Sequence, residues 1–288
     1  MQAIIFALIS YLGWGTGDIF GTIATRKIGG YRVAFWFFLF LIPIYALFIL
    51  IFPAGIENLT LAVFVLNISL GILAAISMIT FYESLKLGSA SLVATISGAF
   101  PALVVPLSII FLKERINLSQ LVAICIIIFG VIISTMDFRE FRSGKIVLGQ
   151  GVLLALTTMT LWGIYWTFIK IPVQQIGWAW PNLIAVLALP TIPLLMKIRK
   201  IGIDFKSFKE VRLPLLLNAA IIGLATSSFN YAISSGGDVA IITPIAGSYP
   251  TLYAVLANLV FKDPLKSNEI LGIVVTLTGI VALSILSV

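Results

Sequence analysis

Residues 96–115 read ISGAFPALVVPLSIIFLKER and residues 245–264 read IAGSYPTLYAVLANLVFKDP. A displacement of 149 residues lays one on the other: Gly98 falls on Gly247, Phe100-Pro101 on Tyr249-Pro250, Lys113 on Lys262 and Glu114 on Asp263. The same displacement carries Tyr82 onto Tyr231, Gly88 onto Gly237 and Gly130 onto Gly279, and one of 148 carries Trp14-Gly15 onto Trp162-Gly163. Apolar stretches align with one another by chance. Glycine, proline and charge do not recur together at one spacing unless the chain is an internal duplication. Residues 1–140 and 141–288 are therefore expected to be two copies of one unit.

The solvent of that unit follows from composition. Of 288 residues, 60% are hydrophobic and 10% charged, where a water-soluble surface requires about 25% charged residues. Apolar runs bounded by Gly, Pro and charge fall at about 3–24, 33–52, 61–85, 89–112, 117–136, 147–169, 178–196, 213–235, 238–262 and 267–287, each near bilayer length. Backbone groups in hydrocarbon must be satisfied within the segment, and the period-2 alternation of barrel strands is missing. The expected fold is an all-α integral membrane protein of ten transmembrane helices, five per copy. Because five is odd, the second copy enters from the opposite side, which makes the copies inverted repeats about an axis in the membrane plane. The first run has no basic residue ahead of it and no cleavage site of small residues, so it is read as the first helix rather than as a signal peptide.

Charge gives an orientation. Fifteen of the 18 Lys and Arg fall on connections of one face, among them Arg26, Lys27, Arg32 and the cluster from Lys197 to Arg212. Only Lys113, Arg115 and Lys170 lie on the other face, which the positive-inside rule places outside the cytoplasm together with both termini. The net charge of +7 thus marks loops and implies no nucleic-acid partner. With no histidine and Cys125 the sole cysteine, imidazole and thiolate metal sites, disulfides and Ser-His or Cys-His nucleophiles are excluded. No Gly-Lys phosphate loop is present, so there is no built-in ATP motor, and neither cofactor nor metal is expected.

Asp18 is the only acid well inside an apolar run, where a charge costs at least ~2.5–3.5 kcal/mol at the midplane and marks a functional site by default. It is the candidate for proton or cation coupling. Tyr11 and Trp14, at i−7 and i−4, share its helical face. In the sixth run Trp162, Tyr165 and Trp166 recur at i, i+3 and i+4, a cluster able to stack on a planar or cationic ligand or to form part of an interfacial belt. Lys170 follows at the helix end, where it is expected to snorkel. Tyr82, Tyr231, Asn230 and Ser97 complete the candidate cavity. Glu83 is expected to pair with Lys86, and Ser89 and Asp238 to cap the fourth and ninth helices. Pro101 and Pro250 each remove a backbone donor near mid-helix and free the carbonyls of Ser97 and Ala246. With Gly98 and Gly247 they form a Gly-x-x-Pro in each copy, read as a pair of hinges.

Phe81-Tyr82-Glu83-Ser84-Leu85, Ser89 to Ala94, Phe100-Pro101 and Phe111-Leu112-Lys113-Glu114-Arg115, with their second copies at Tyr231-Ala232, Val239-Ala240, Tyr249-Pro250 and Val260 to Pro264, resemble the EamA type of the drug/metabolite transporter superfamily. Lys113 and Lys262 stand where that family usually has glycine. The resemblance implies a carrier, not an enzyme, with a central cavity lined mostly by helices 1, 3, 4, 6, 8 and 9. It implies a small-molecule substrate, an amino acid or similar, with export the favoured direction, and a monomer or homodimer in the plasma or inner membrane. Sugar or nucleotide-sugar transport on the same fold is the alternative. With no Arg or Lys deep in any span to meet a phosphate, the Trp, Tyr and Asp inventory itself favours zwitterions or cations. Gly15-Thr16-Gly17-Asp18 also spells the GxGD of intramembrane aspartyl proteases, and Pro101-Ala102-Leu103 their PAL, but that chemistry needs a second facing carboxylate. A passive channel is the remaining alternative.

Overall fold

The computed structural model describes residues 1–87, 93, 96–135, 149–262 and 267–287. Among the described residues ten apolar helices, counted across their internal breaks, run in chain order: α1 (Gln2–Ile28), α2 (Gly30–Ile51), α3 (Leu61–Leu87), α4 (Ile96–Phe111), α5 (Leu118–Thr135), α6 (Gln150–Ile176), α7 (Trp180–Ile198), α8 (Phe205–Ser234), α9 (Val239–Phe261) and α10 (Ser267–Leu286). Eight are long and apolar enough to cross a bilayer, while the described parts of α4 and α5 are shorter apolar helices. No strand occurs among the described residues. Residue 89, the expected cap of the fourth helix, and the junction of the two copies at 136–148 lie outside the described residues.

The packing is that of two interleaved copies. Helix α1 lies against α8, and its counterpart α6 against α3; α4 meets α9, and α5 meets α10. Every one of these pairs joins the halves. Small residues let backbones approach in lipid, where apolar side chains gain nothing by leaving one apolar solvent for another. Along α5 and α10, a Cβ on Gly130 would stand 2.6 Å from the Thr276 nitrogen, and one on Gly272 would stand 2.5 Å from Ser134 Cα. Only glycine permits that contact.

Both Gly-x-x-Pro segments are breaks rather than bends. The α9 helix stops at Gly247 and restarts at Pro250, and α4 restarts at Pro101. Tightened i→i+3 bonds span each gap: Phe100 N donates to the Ser97 carbonyl and Tyr249 N to the Ala246 carbonyl, both at 3.3 Å. The carbonyls freed by the two prolines are thereby satisfied. The breaks also interlock, since a Cβ on Gly98 would stand 2.8 Å from Pro250 Cγ and one on Gly247 would stand 2.7 Å from Pro101 Cγ. The pseudo-two-fold axis passes between them.

Three local expectations change. The eighth helix begins at Phe205, ahead of the expected 213, because Asp204 caps it: its carboxylate accepts from Lys206 N at 3.0 Å and Ser207 N at 3.2 Å. The basic stretch before Pro214 therefore continues α8, anchored where Phe208 stacks on Trp36 with ring centroids 4.0 Å apart. Glu83 does not pair with Lys86; its carboxylate accepts from Gly30 N at 3.1 Å and caps α2. Asp238 precedes α9 without a side-chain cap bond, because Glu114 supplies that bond and Asp238 turns to Lys170.

Candidate functional site

Between the helices lies a cavity of about 100 Å³. A single water needs ~10–15 Å³, so the space holds several waters or a small ligand. Its walls are aromatic. Trp14 of α1 and Trp166 of α6 lie with ring centroids 4.7 Å apart, and Tyr165 meets Trp166 edge-on at 4.7 Å. Trp162 bridges the two halves, 5.0 Å from Phe81 and 5.7 Å from Phe100. The i, i+3, i+4 row of α6 thus faces inward, as does the Trp14–Asp18 face of α1.

Asp18 is 8% exposed and lines this cavity together with a smaller one shared with Thr22, Ser97, Pro250 and Tyr253. Tyr249 belongs to both, so its side chain borders the same spaces as the Asp18 carboxylate. No Lys, Arg or second carboxylate lines either space among the described residues. Two donors of the wall are engaged with other side chains: Trp14 Nε1 donates to Thr226 at 3.3 Å, and Asn182 Nδ2 donates to Ser227 at 3.0 Å.

The other candidate residues take different places. Tyr11 and Thr251 exchange a hydroxyl bond at 3.1 Å, which ties α1 to α9. Ser97 Oγ donates to the Val93 carbonyl at 2.6 Å, and Tyr82 is buried beside Gly21 and Asn218. Asn230 Nδ2 donates to Asn182 Oδ1 at 2.8 Å, which fixes a residue of the cavity wall rather than entering the cavity. Tyr231 is remote from it: its hydroxyl accepts from Gln2 at 3.1 Å near the chain terminus. The sequence reading omitted Phe37, Phe38, Leu41 and Tyr45 of α2, and Asn182 of α7, all of which line the cavity. Helix α2 is apolar on every side, so no stripe marks its inner face; the one cue was Tyr45, a polar tip among phenylalanines.

Outside the cavity, on the face away from most of the basic residues, an ionic knot joins the halves. Pro172 cannot donate to the Phe168 carbonyl, and α6 breaks at Ile169 just before Lys170. Lys170 does not snorkel. Its ammonium meets Glu114 at 2.5 Å and Asp238 at 3.1 Å. The Glu114 carboxylate also accepts from Val239 N at 2.8 Å and Ala240 N at 2.7 Å, so an acid of the first half caps a helix of the second, where the helix dipole favours it.

Comparison with known proteins agrees with this architecture. The chain is 32% identical over 136 residues to an uncharacterized protein of Methanocaldococcus jannaschii (MJ1333.1), a stretch covering 47% of this chain and 97% of that one, so the relative has about the length of a single copy. A solved structure described only as "Crystal structure of protein" superposes with a TM-score of 0.77 at 16% identity, over 99% of this chain and 98% of that one, and shares its fold. The model of the EamA-like transporter family matches twice, over residues 1–136 and 149–285, and covers both copies. The chain therefore belongs to the EamA-like transporter family of the drug/metabolite transporter superfamily, as an integral membrane protein.

Proposed function

We propose that the protein is a secondary transporter of a small polar metabolite, an amino acid or a molecule like it, and that it works by rocking residues 1–140 against 141–288 around the midplane cavity. The observation that supports this most is the placement of the cavity against two interlocked helix breaks, one from each half, with Phe100 of one and Tyr249 of the other in its wall. Broken helices at a repeat interface let one half tilt on the other around a fixed site. The hinges are Gly98-Pro101 and Gly247-Pro250. The cavity is complete within one chain, so a monomer suffices. Export across the plasma or inner membrane is the direction the family resemblance implies.

Asp18 is the group at which protons enter the mechanism in this reading. It is faced by the hydroxyl groups of Tyr82 on α3 and of Tyr249 and Tyr253 on α9, and by no charged residue among the described ones. A carboxylate in such a place holds either a proton or a cationic group of the substrate. An aspartyl hydrolase is disfavoured by the same geometry, because Asp204 caps α8 and Asp238 pairs with Lys170.

Proteoliposomes test this directly. Loaded with excess unlabelled substrate, they are expected to accumulate labelled substrate transiently and saturably. Linear, non-saturating flux or single-channel currents would remove the carrier reading. Ligand addition in weak buffer is expected to release protons from the wild type and none from Asp18→Asn; equal release from both would take Asp18 out of the coupling.

A further inference from the structure

We infer that the ligand of the midplane cavity is a monocationic amine with an apolar body and no carboxylate, held by the Asp18 carboxylate and the faces of the surrounding indole rings. This rests on the transport reading above and replaces its amino acid by the corresponding amine. Three observations carry it. Among the described residues the cavity wall carries one carboxyl group, Asp18, and no Lys or Arg that could serve as its counter-cation. Lys170, a single helical turn beyond Trp166, is held elsewhere by Glu114 and Asp238. Around the acid the wall offers π faces: Trp14, Trp162 and Trp166 surround the same space, and indole is the ring that attracts cations best.

An ammonium entering this space exchanges its hydration for an ion pair in a low-dielectric setting and for cation–π contact, and it supplies the charge that Asp18 lacks. An amino acid brings a carboxylate as well. That carboxylate would meet no Lys or Arg among the described residues, only neutral indole, hydroxyl and amide groups, so it would give up its hydration without a counter-charge. The cavity therefore selects against the zwitterion by its missing partner, which is a stronger discrimination than shape alone.

The test compares ligands that differ only in charge: phenethylamine, phenylalanine and the uncharged phenethyl alcohol, with isobutylamine against valine as a smaller pair. Binding to the full-length protein in detergent is read from quenching of tryptophan fluorescence and from thermal shift, and flux from counterflow in proteoliposomes. The amine is expected to bind at least tenfold more tightly than both its amino acid and its alcohol. Asp18→Asn is expected to lose that preference while eluting as the same folded species. Should the variant fail to fold, the amine-to-alcohol ratio on the wild type decides alone. Equal or tighter binding of the amino acid, or no amine binding, overturns the inference. Saturable counterflow of phenylalanine without that of phenethylamine overturns it but leaves the transporter standing. Tight amine binding with no saturable flux of any ligand upholds the inference and overturns transport instead.

Discussion

The carboxylate of Glu114 is bonded to two backbone amides of one half and to an ammonium at the broken end of α6, and its side chain is 2% exposed. Removing one member of a buried pair costs about 3–5 kcal/mol, because the partner is left charged and dry. Glu114→Gln keeps the shape and leaves Lys170 with Asp238 alone, so a loss near the low end, ~3 kcal/mol, is expected. Thermal unfolding in detergent measures it, and Lys170→Met combined with Glu114→Gln should cost less than the two singles added together. Gly247→Val sets a side chain 2.7 Å from Pro101 Cγ and 2.9 Å from Phe100. Overpacking of this kind costs ~1–3 kcal/mol, and here it also wedges the interlock, so flux should fall further than stability; Gly98→Val, against Pro250, should act alike. A valine variant with undiminished flux would show that the breaks are static.

Among elements, the start of α8 depends on one exposed acid. The Ser207 hydroxyl and then the Ser207 amide hold the Asp204 carboxyl below the usual carboxylate range. A group whose folded value is lowered contributes stability above its unfolded value and loses it as pH falls through the folded one. Hydrogen exchange at residues 205–208 is therefore expected to quicken on acidification below the usual carboxylate range and to be fast at all pH values in Asp204→Ala. Little of this was legible beforehand. Asp204 lay ahead of the apolar run expected to begin at 213, since the Lys and Arg that follow it lower hydropathy without ending a helix. The ten spans and the Gly-x-x-Pro breaks were legible, because length, proline chemistry and repetition act locally. The partners of Glu83, Asp238 and Lys170 were not: each is set by an element 50 or more residues away, and nearest neighbours in sequence gave the wrong pairings. The inward face of α2 escaped for another reason, its uniform apolarity.

In the whole molecule, the strongest packing runs between copies: α1 with α8, α3 with α6, α5 with α10. Residues 1–140 and 141–288 expressed as separate chains in one cell are thus expected to copurify and to bind ligand, while either alone should aggregate in detergent. Failure to copurify would mean that the covalent junction, not the shared interface, holds the halves together. Repetition should also make the ends of α1 and α6 alike, yet they are tied differently. The register that sets Trp14 on Trp162 sets Thr22 on Lys170. Where Lys170 is bound by two acids, Thr22 only shares a hydroxyl bond with Tyr253, at 3.0 Å. Among the described residues, then, one tie is ionic and its counterpart neutral. In the proposed carrier a perfectly symmetric pair of ties would leave both resting forms equally populated, and an ionic tie at one end alone is what would bias that balance.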